Sequence, residues 1–487
     1  MVFFVYLRSN ETDMKRNFCL LICLTTLAVL ACKAQTQGTV HEPVRFEDGT
    51  PVAGDPAADS LFAQDRFHTD TTLTEKGDTL FTVRHASSYV RLQLEGLPAD
   101  AGIGEILLVP MLGAPETVPV TVSETGSLTL WMAKEPAVLP AMAAIAQAAD
   151  GRVWSVRLPG GALQPGIAYR WDASWLTPDA PESGIQATPL PQTTMLEVEP
   201  GEYSGITWLG GNQYGVVSDN LKGGGIARFS IPIDDHGNVG TVKMEVPKAV
   251  ATAEGKKRDT EGIAYVASTN TLYTTSEKNQ DIRGYDLLGV ETGASLDVPA
   301  DLKDIQDNRG FESLSYNATT GLFWTTTEAP LKADTFFPRL HRLQSFTTDG
   351  KPAGRFLYQI GEPSQTSENT VAYVFGIPAM AAMDDGRVLV VEREVYIPKG
   401  SLWEKIQGAF TDIHIFVVDP VHDTAGILRK SLVCHFTTGA MNLANFEGMC
   451  LGPTLPDGSR CLLMIADSQK GSGGLTQEYV KVILLRD

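Results

Sequence analysis

Residues 260–277 read TEGIAYVASTNTLYTTSE, and residues 311–328 read FESLSYNATTGLFWTTTE. Each opens on a short apolar run carrying a glutamate, turns through small polar residues, runs again through β-branched and aromatic residues, and ends on a second glutamate. The two glutamates stand 16 positions apart in both, Glu261 to Glu277 and Glu312 to Glu328. Apolar alternation on either side of a turn reads as an antiparallel hairpin. A hairpin recurring at fixed spacing is an internal repeat, and a repeat decides architecture ahead of any single motif.

Further copies flank these two. Openings recur as YSGITW (203–208), PAMAAM (378–383) and FEGMCL (446–451), and second strands end on acids at Asp219, Glu392 and Asp467. A third strand follows in every module: ARFSI (227–231), IRGYDL (282–287), RLHRLQSF (339–346), HIFVVD (414–419) and YVKVILL (479–485). A fourth precedes the next opening as VKMEV (242–246), SLDV (295–298), RFLYQI (355–360) and SLVCHF (431–436). The last module lacks a fourth strand, while an orphan, MLEVE (195–199), precedes the first opening. A C-terminal blade completed by an N-terminal strand closes a ring and removes exposed sheet edges. The expected fold is therefore all-β: a C-terminal β-propeller over 195–487 with five visible four-stranded modules. Room for a sixth blade remains in the inserts Pro363 to Phe375 and Tyr396 to Ile413.

In a hairpin the start of the first strand and the end of the second lie together. Glu261, Glu312 and Glu447 at the starts, with Asp219, Glu277, Glu328, Glu392 and Asp467 at the ends, are thus expected to crowd one rim. Like charges at one mouth raise some carboxyl pKa values or attract a cation. Oxygen ligands of this kind suit Ca²⁺ better than Mg²⁺. Lys278 and Arg393, beside these acids, pair with them or meet an anionic substrate. Taken singly, each glutamate also has a purely structural reading, accepting backbone N–H groups between blades.

The Glu-Gly and Phe-Glu openings, the acid-terminated second strands, and the segments RGFESL and NFEGM resemble the phytase-like family, "esterase-like activity of phytase", across nearly the whole C-terminal domain. That resemblance implies a secreted or periplasmic hydrolase-like propeller with acidic active-site groups. The chain departs from the pattern at two openings, where Ser204 and Ala379 replace Glu, so the site is asymmetric around the ring.

Upstream, residues 177–194 (TPDAPESGIQATPLPQTT) carry four prolines and read as an extended linker. Before it, residues 33–176 hold short alternating segments: Thr79 to Val83, Tyr89 to Leu94, Ile106 to Val109, Val118 to Val122, Leu128 to Met132, Val153 to Leu158 and Ile167 to Trp171. These imply a small β-sandwich-like domain with no catalytic constellation. The Ala-rich stretch Ala137 to Ala149 is its one helix candidate.

At the N-terminus, Lys15 and Arg16 precede the apolar run Phe18 to Leu30 and then Ala31-Cys32. The pattern is that of a secretion signal, too short for a comfortable membrane span. Its end resembles the lipobox of bacterial lipoproteins, implying cleavage before Cys32 and lipidation of that thiol. Residues 1–32 are thus read as a signal segment, with Met14 a plausible start. An exported, lipid-anchored protein follows, facing the periplasm because no acidic run succeeds Cys32.

The formal charge of the 487-residue chain is −19. Setting aside residues 1–31, with three bases and two acids, makes it −20. Such a surface disfavours nucleic acid and anionic lipid, leaving the lipid anchor as the only expected membrane contact. A monomer is expected, and Lys256-Lys257-Arg258 reads as a solvated loop. Cys434, Cys450 and Cys461 remain in the mature chain; Cys450 and Cys461 flank a turn and are read either as a disulfide or as two buried thiols. There is no G-x-S-x-G elbow and no paired-histidine zinc motif, and His414 and His435 read as strand residues. Two functions remain open: a metal-assisted phosphoesterase or esterase acting on an anionic or ester substrate, and a non-catalytic propeller binding a ligand or protein at its rim.

Overall fold

The computed structural model describes residues 50–51, 67–73, 79–85 and 88–486, apart from 112, 135–137, 159, 164–167, 181, 219–224, 250–257, 307–308, 440–441 and 469–476. The signal segment and Cys32 lie outside the described residues. The chain divides into two compact units, Met1–Thr177 and Pro178–Asp487. None of the described helices is long and apolar enough to cross a membrane.

The first unit contains two four-stranded sheets. One orders Thr50–Pro51, Ala168–Ser174, Ser88–Glu95 and Leu128–Lys134; the other orders Val153–Leu158, Met142–Gln147, Glu105–Pro110 and Glu116–Pro119. Val90, Leu92 and Leu94 alternate with Arg91 and Gln93, so one face of the first sheet is apolar. That face packs with Ile106, Leu108, Trp154 and Val156 of the second sheet into a single core. The expected helix at 137–149 is instead the strand Met142–Gln147. Ala143, Ala144, Ile145 and Ala146 are all buried there, and burial on both faces overrides alanine's preference for helix.

The second unit is a β-propeller, with five blades among the described residues. Blade I comprises Tyr203–Gly210, Gln213–Ser218, Gly225–Ser230 and Lys243–Ala249. Blade II comprises Ile263–Val266, Thr271–Ser276, Asp281–Tyr285 and Glu291–Leu296, and blade III Ser315–Asn317, Leu322–Thr325, Leu340–Thr347 and Pro352–Gln359. Blade IV is built from Met380–Ala382, Val388–Pro398, Phe410–Val418 and Lys430–Gly439. Blade V runs inside to outside as Asn445–Thr454, Arg460–Asp467, Tyr479–Arg486 and Gln186–Pro189. Each innermost strand neighbours the next, and that of blade V returns to that of blade I, so the ring is closed.

The closure differs in place from the sequence reading. The outer strand of blade V is Gln186–Pro189, with Thr193–Thr194 also pairing to Tyr479–Arg486, so half of the expected linker is ring structure. Residues 195–199 form a turn in which Leu196 is exposed while Met195 and Val198 are buried. An outermost strand tolerates proline because one side of it has no neighbour to donate to. The inserts expected to hide a sixth blade instead lengthen blade IV. Its strand Val388–Pro398 pairs with Met380–Ala382 at one end and Thr370–Gly376 at the other. The helix Leu402–Gly408 then follows, capped reciprocally by Ser401 and Glu404. Cys450 and Cys461 are buried free thiols; Cys450 lies across from Leu463 and Cys461 across from Leu484.

Candidate active site

Close approach of the innermost strands sets the width of the central channel. A Cβ on Gly262 would sit 2.6 Å from the Leu314 nitrogen of blade III, and one on Gly205 would sit 2.3 Å from the Glu261 carbonyl of blade II. Small residues at this level let five blades close. The cavity they leave is about 10 Å³, water-sized, and is lined by Ser204, Gly262, Glu312, Pro378 and Glu447 among others. That is below the usual volume for a drug-sized ligand, so anything larger than an ion or a small group must sit above the rim.

Strand register fixes which side chains reach the rim. In blade II Ile263 faces Thr274, and in blade IV Met380 faces Val390. Counting outward, Gly262 corresponds to Ala379, Glu261 to Pro378, and Glu277 to Arg393. Blade IV therefore presents an arginine, not Glu392, where its neighbours present an acid. In the sequence reading this blade was aligned one residue out, and in a strand one residue exchanges faces. Glu392 points elsewhere: it accepts from Tyr358 Oη at 2.5 Å and from the Gly361 N–H at 2.9 Å, and it pairs with Lys430. Glu394, on the same face, accepts the N–H groups of Ser364 and Gln365 at 2.8 Å each. Both acids anchor the blade IV insert.

Arg393 is 2% exposed. Its Nη2 donates to Glu328 Oε1 at 2.6 Å, and its Nη1 donates to Glu447 Oε1 at 2.7 Å and Asn445 Oδ1 at 3.0 Å. Blades III, IV and V are thereby tied through one guanidinium. The other oxygen of Glu328 accepts from Arg309 Nη1 at 3.1 Å, and Asn445 Nδ2 donates to Glu447 at 2.8 Å. Burial works against the charge on Arg393, but Glu447, Glu328 and Glu312 outweigh it and hold the group above its ordinary value.

Glu312 keeps a partly open edge on the channel yet is ringed by protein. Burial, then the charges of Glu261, Glu328, Glu447 and Glu277, push its pKa well above the usual carboxylate range. Glu447 is also raised by burial, with Arg393 opposing the rise. Burial raises Glu277 as well, against the Gly310 N–H that donates to its Oε1 at 2.9 Å. The structure thus brings Glu261, Glu277, Glu312, Glu328, Glu447 and Arg393 within electrostatic reach of one another. Asp467 is buried at the corresponding place in blade V, opposite Asn445. Asp219 lies outside the described residues, and Lys278 is exposed rather than drawn into the cluster.

Arg309 and Asn445 were not singled out from sequence, although a signal existed for the first. Arg309 precedes Glu312 by three residues, just as Arg258 precedes Glu261. Arg258, expected in a solvated loop, is fully buried and donates to Asp281 at 2.6 Å.

A closed five-bladed ring with carboxylates and a buried arginine at one channel mouth defines an acidic-mouthed β-propeller. The chain belongs to the phytase-like family, described by the esterase-like activity of phytase, which matches residues 199–469. No curated protein matches it. Among solved structures it is similar to an endo-arabinase from Bacteroides thetaiotaomicron VPI-5482 at 14% identity, covering 60% of this chain and 96% of that one, with a TM-score of 0.36. It is also similar to a streptogramin B lyase at 12% identity, covering 62% and 98%, with a TM-score of 0.27. A luciferin-regenerating enzyme is similar at 12% identity, covering 61% and 95%, with a TM-score of 0.31.

Proposed function

We propose that the protein is an exported hydrolase of phosphoric or carboxylic esters that works at this rim on small anionic or ester substrates. The observation that carries the reading is Glu312, set at the channel mouth among Glu261, Glu277, Glu328 and Glu447, whose pKa burial and these acids push well above the usual carboxylate range. Beside it, Glu447 shares Arg393 with Glu328 and is favoured as an anion by that contact. Both carboxyls are raised, Glu447 against the pull of Arg393, and neighbouring carboxyls in unequal surroundings can divide the acid and base roles of hydrolysis. Glu312 and Glu447, with Glu261 next to them, are the groups assigned to move the proton between water and the leaving group. The arginines of the cluster are spent on its own acids, and an anionic substrate would need further positive charge at the rim.

Calcium fits that need. Five carboxylates meet two guanidinium groups among the described residues here, and the excess donors are hard oxygens. Glu277 and neighbouring rim carboxylates would hold the ion, since Glu328 and Glu447 are engaged by arginine. Bound there, the ion would supply positive charge against the substrate's ester oxygen. The signal segment supports export and anchoring through Cys32, with the propeller facing the periplasm. Protease treatment of intact cells tests that topology, and cleavage without permeabilisation would count against it.

A panel of phosphomonoesters, phytate among them, and aryl esters tests the activity. It is run with and without chelator on the wild type, Glu312→Gln and Glu447→Gln. The expected result is chelator-sensitive hydrolysis that falls by about 10²–10⁴-fold in either variant. Activity equal in the variants, or absent on every substrate, would leave a ligand-binding propeller as the better reading.

A further inference from the structure

We propose that Asp412, His414 and His435, on the outer part of blade IV, form a binding site for a zinc-type divalent cation. Asp412 and His414 lie two apart on the strand Phe410–Val418 and so project from the same face. His435, on the outermost strand Lys430–Gly439, stands directly across from His414, and Asp412 stands across from Thr437. One ligating atom from each of the three residues lies within 4.8 Å of the others. Asp412 Oδ1 is 2.8 Å from His435 Nε2, and Asp412 Oδ2 is 3.5 Å from His414 Nδ1. The two imidazole rings stack with centroids 4.2 Å apart and planes 17° from parallel.

Two imidazoles and a carboxylate form a donor set suited to zinc, cobalt or copper and not to calcium. Three protein ligands leave a fourth place for water, and the exposure of His435 gives the ion a path in. Thr437 Oγ1 donates to Asp412 Oδ1 at 2.6 Å, the kind of supporting contact that orients a ligating carboxylate. Lys430, whose charge is felt at His414, is paired with Glu392. An ion here would clamp the outermost strand of blade IV to its neighbour, through a donor set unlike the glutamates and arginines of the rim.

The test is a titration of the chelator-stripped full chain with Zn²⁺ against a chromophoric chelator, in excess Ca²⁺, with Co²⁺ as the spectroscopic probe. One equivalent of Zn²⁺ is expected to bind and to raise the melting temperature, and Co²⁺ to give a visible ligand-field spectrum. His414→Ala and His435→Ala should each weaken binding by about 100-fold or more, and Thr437→Val by about 10-fold, with Glu312→Gln unchanged. Apo-state melting of each variant separates lost ligation from lost folding, and His435, being exposed, is the variant least able to disturb packing. No Zn²⁺ binding, or binding unaltered in both histidine variants, overturns the site.

Discussion

Arg393 of blade IV donates to Glu328 of blade III from the register position that Glu277 holds in blade II. A cation thus replaces an anion at one place in the ring, and two neighbouring acids depend on it. Arg393→Met should lower the unfolding free energy by about 3–5 kcal/mol at neutral pH, because it strands buried carboxylates. Adding Glu328→Gln should restore part of that loss. Denaturant melts of the two singles and the double measure the coupling, and strict additivity would show that the contact carries little energy.

The raised pKa of Glu312 makes stability depend on pH in a definite direction. Unfolded glutamate titrates near about 4.3, so above that pH the folded protein keeps a proton that the unfolded chain has released. The associated stability is complete below about 4.3 and is lost as pH rises through the higher folded value. Glu312→Gln should melt higher than the wild type at neutral pH and show a shallower decline across this window. Some decline should persist, because Glu277 and Glu447 are raised too. Parallel curves for the two proteins would remove Glu312 as the proton-holding group.

Millimolar Ca²⁺ should raise the melting temperature of the wild type if the ion binds only the closed ring. The gain should shrink in Glu261→Gln and Glu312→Gln and persist in Glu392→Gln, whose carboxylate faces Lys430. Melting unmoved by Ca²⁺ would identify the rim as a purely protonic site.

Residues 178–487 should fold without the first unit, whereas a version beginning at residue 193 should aggregate. The longer form keeps Gln186–Pro189 on Tyr479–Arg486; the shorter exposes that edge. Solubility and melting of the two truncations decide it, and equal behaviour would mean that the strand is dispensable.

Gly262→Ala should cost about 1–3 kcal/mol, since its methyl would press on the backbone of blade III at Ser313 and Leu314. It should also depress activity, because it shifts Glu261 relative to Glu312. A variant that melts and turns over like the wild type would mean that the blades separate freely at this level.

The blades were legible because each repeats one hairpin, and the 16-residue spacing of blades II and III survives in the structure as equivalent positions. Blade IV was misread where that regularity fails. Its opening carries no acid, and Val391-Glu392-Arg393-Glu394 offers acids on one face and the arginine on the other, a choice that only strand pairing makes. The closing strand was misplaced because Pro189 and Pro191 make an outer strand look like a linker. Asn445 was hidden because its importance lies in the Arg393 guanidinium that reaches it from blade IV, whereas Arg309 showed only as an arginine three residues ahead of Glu312. The pairing of His414 with His435 was hidden because it depends on the register of two neighbouring strands of blade IV, which sets side by side residues 21 positions apart in sequence.

Because blade V takes its outer strand from residues 186–189 and its other three from residues 445–486, one sheet is assembled from both ends of the propeller sequence. A ribosome that has completed blades I to IV has made most of the contacts but has not closed the circle. Bringing those ends together spans some 300 residues, yet loop-closure entropy grows only with the logarithm of length, so the penalty is bearable once the intervening blades have formed. The order of events is therefore written into the topology: the strand made first must wait, unpaired on its outer blade, for the strand made last. Shielding of Gln186–Pro189 during that interval, and not the intrinsic stability of any one blade, should set the yield of correctly folded protein.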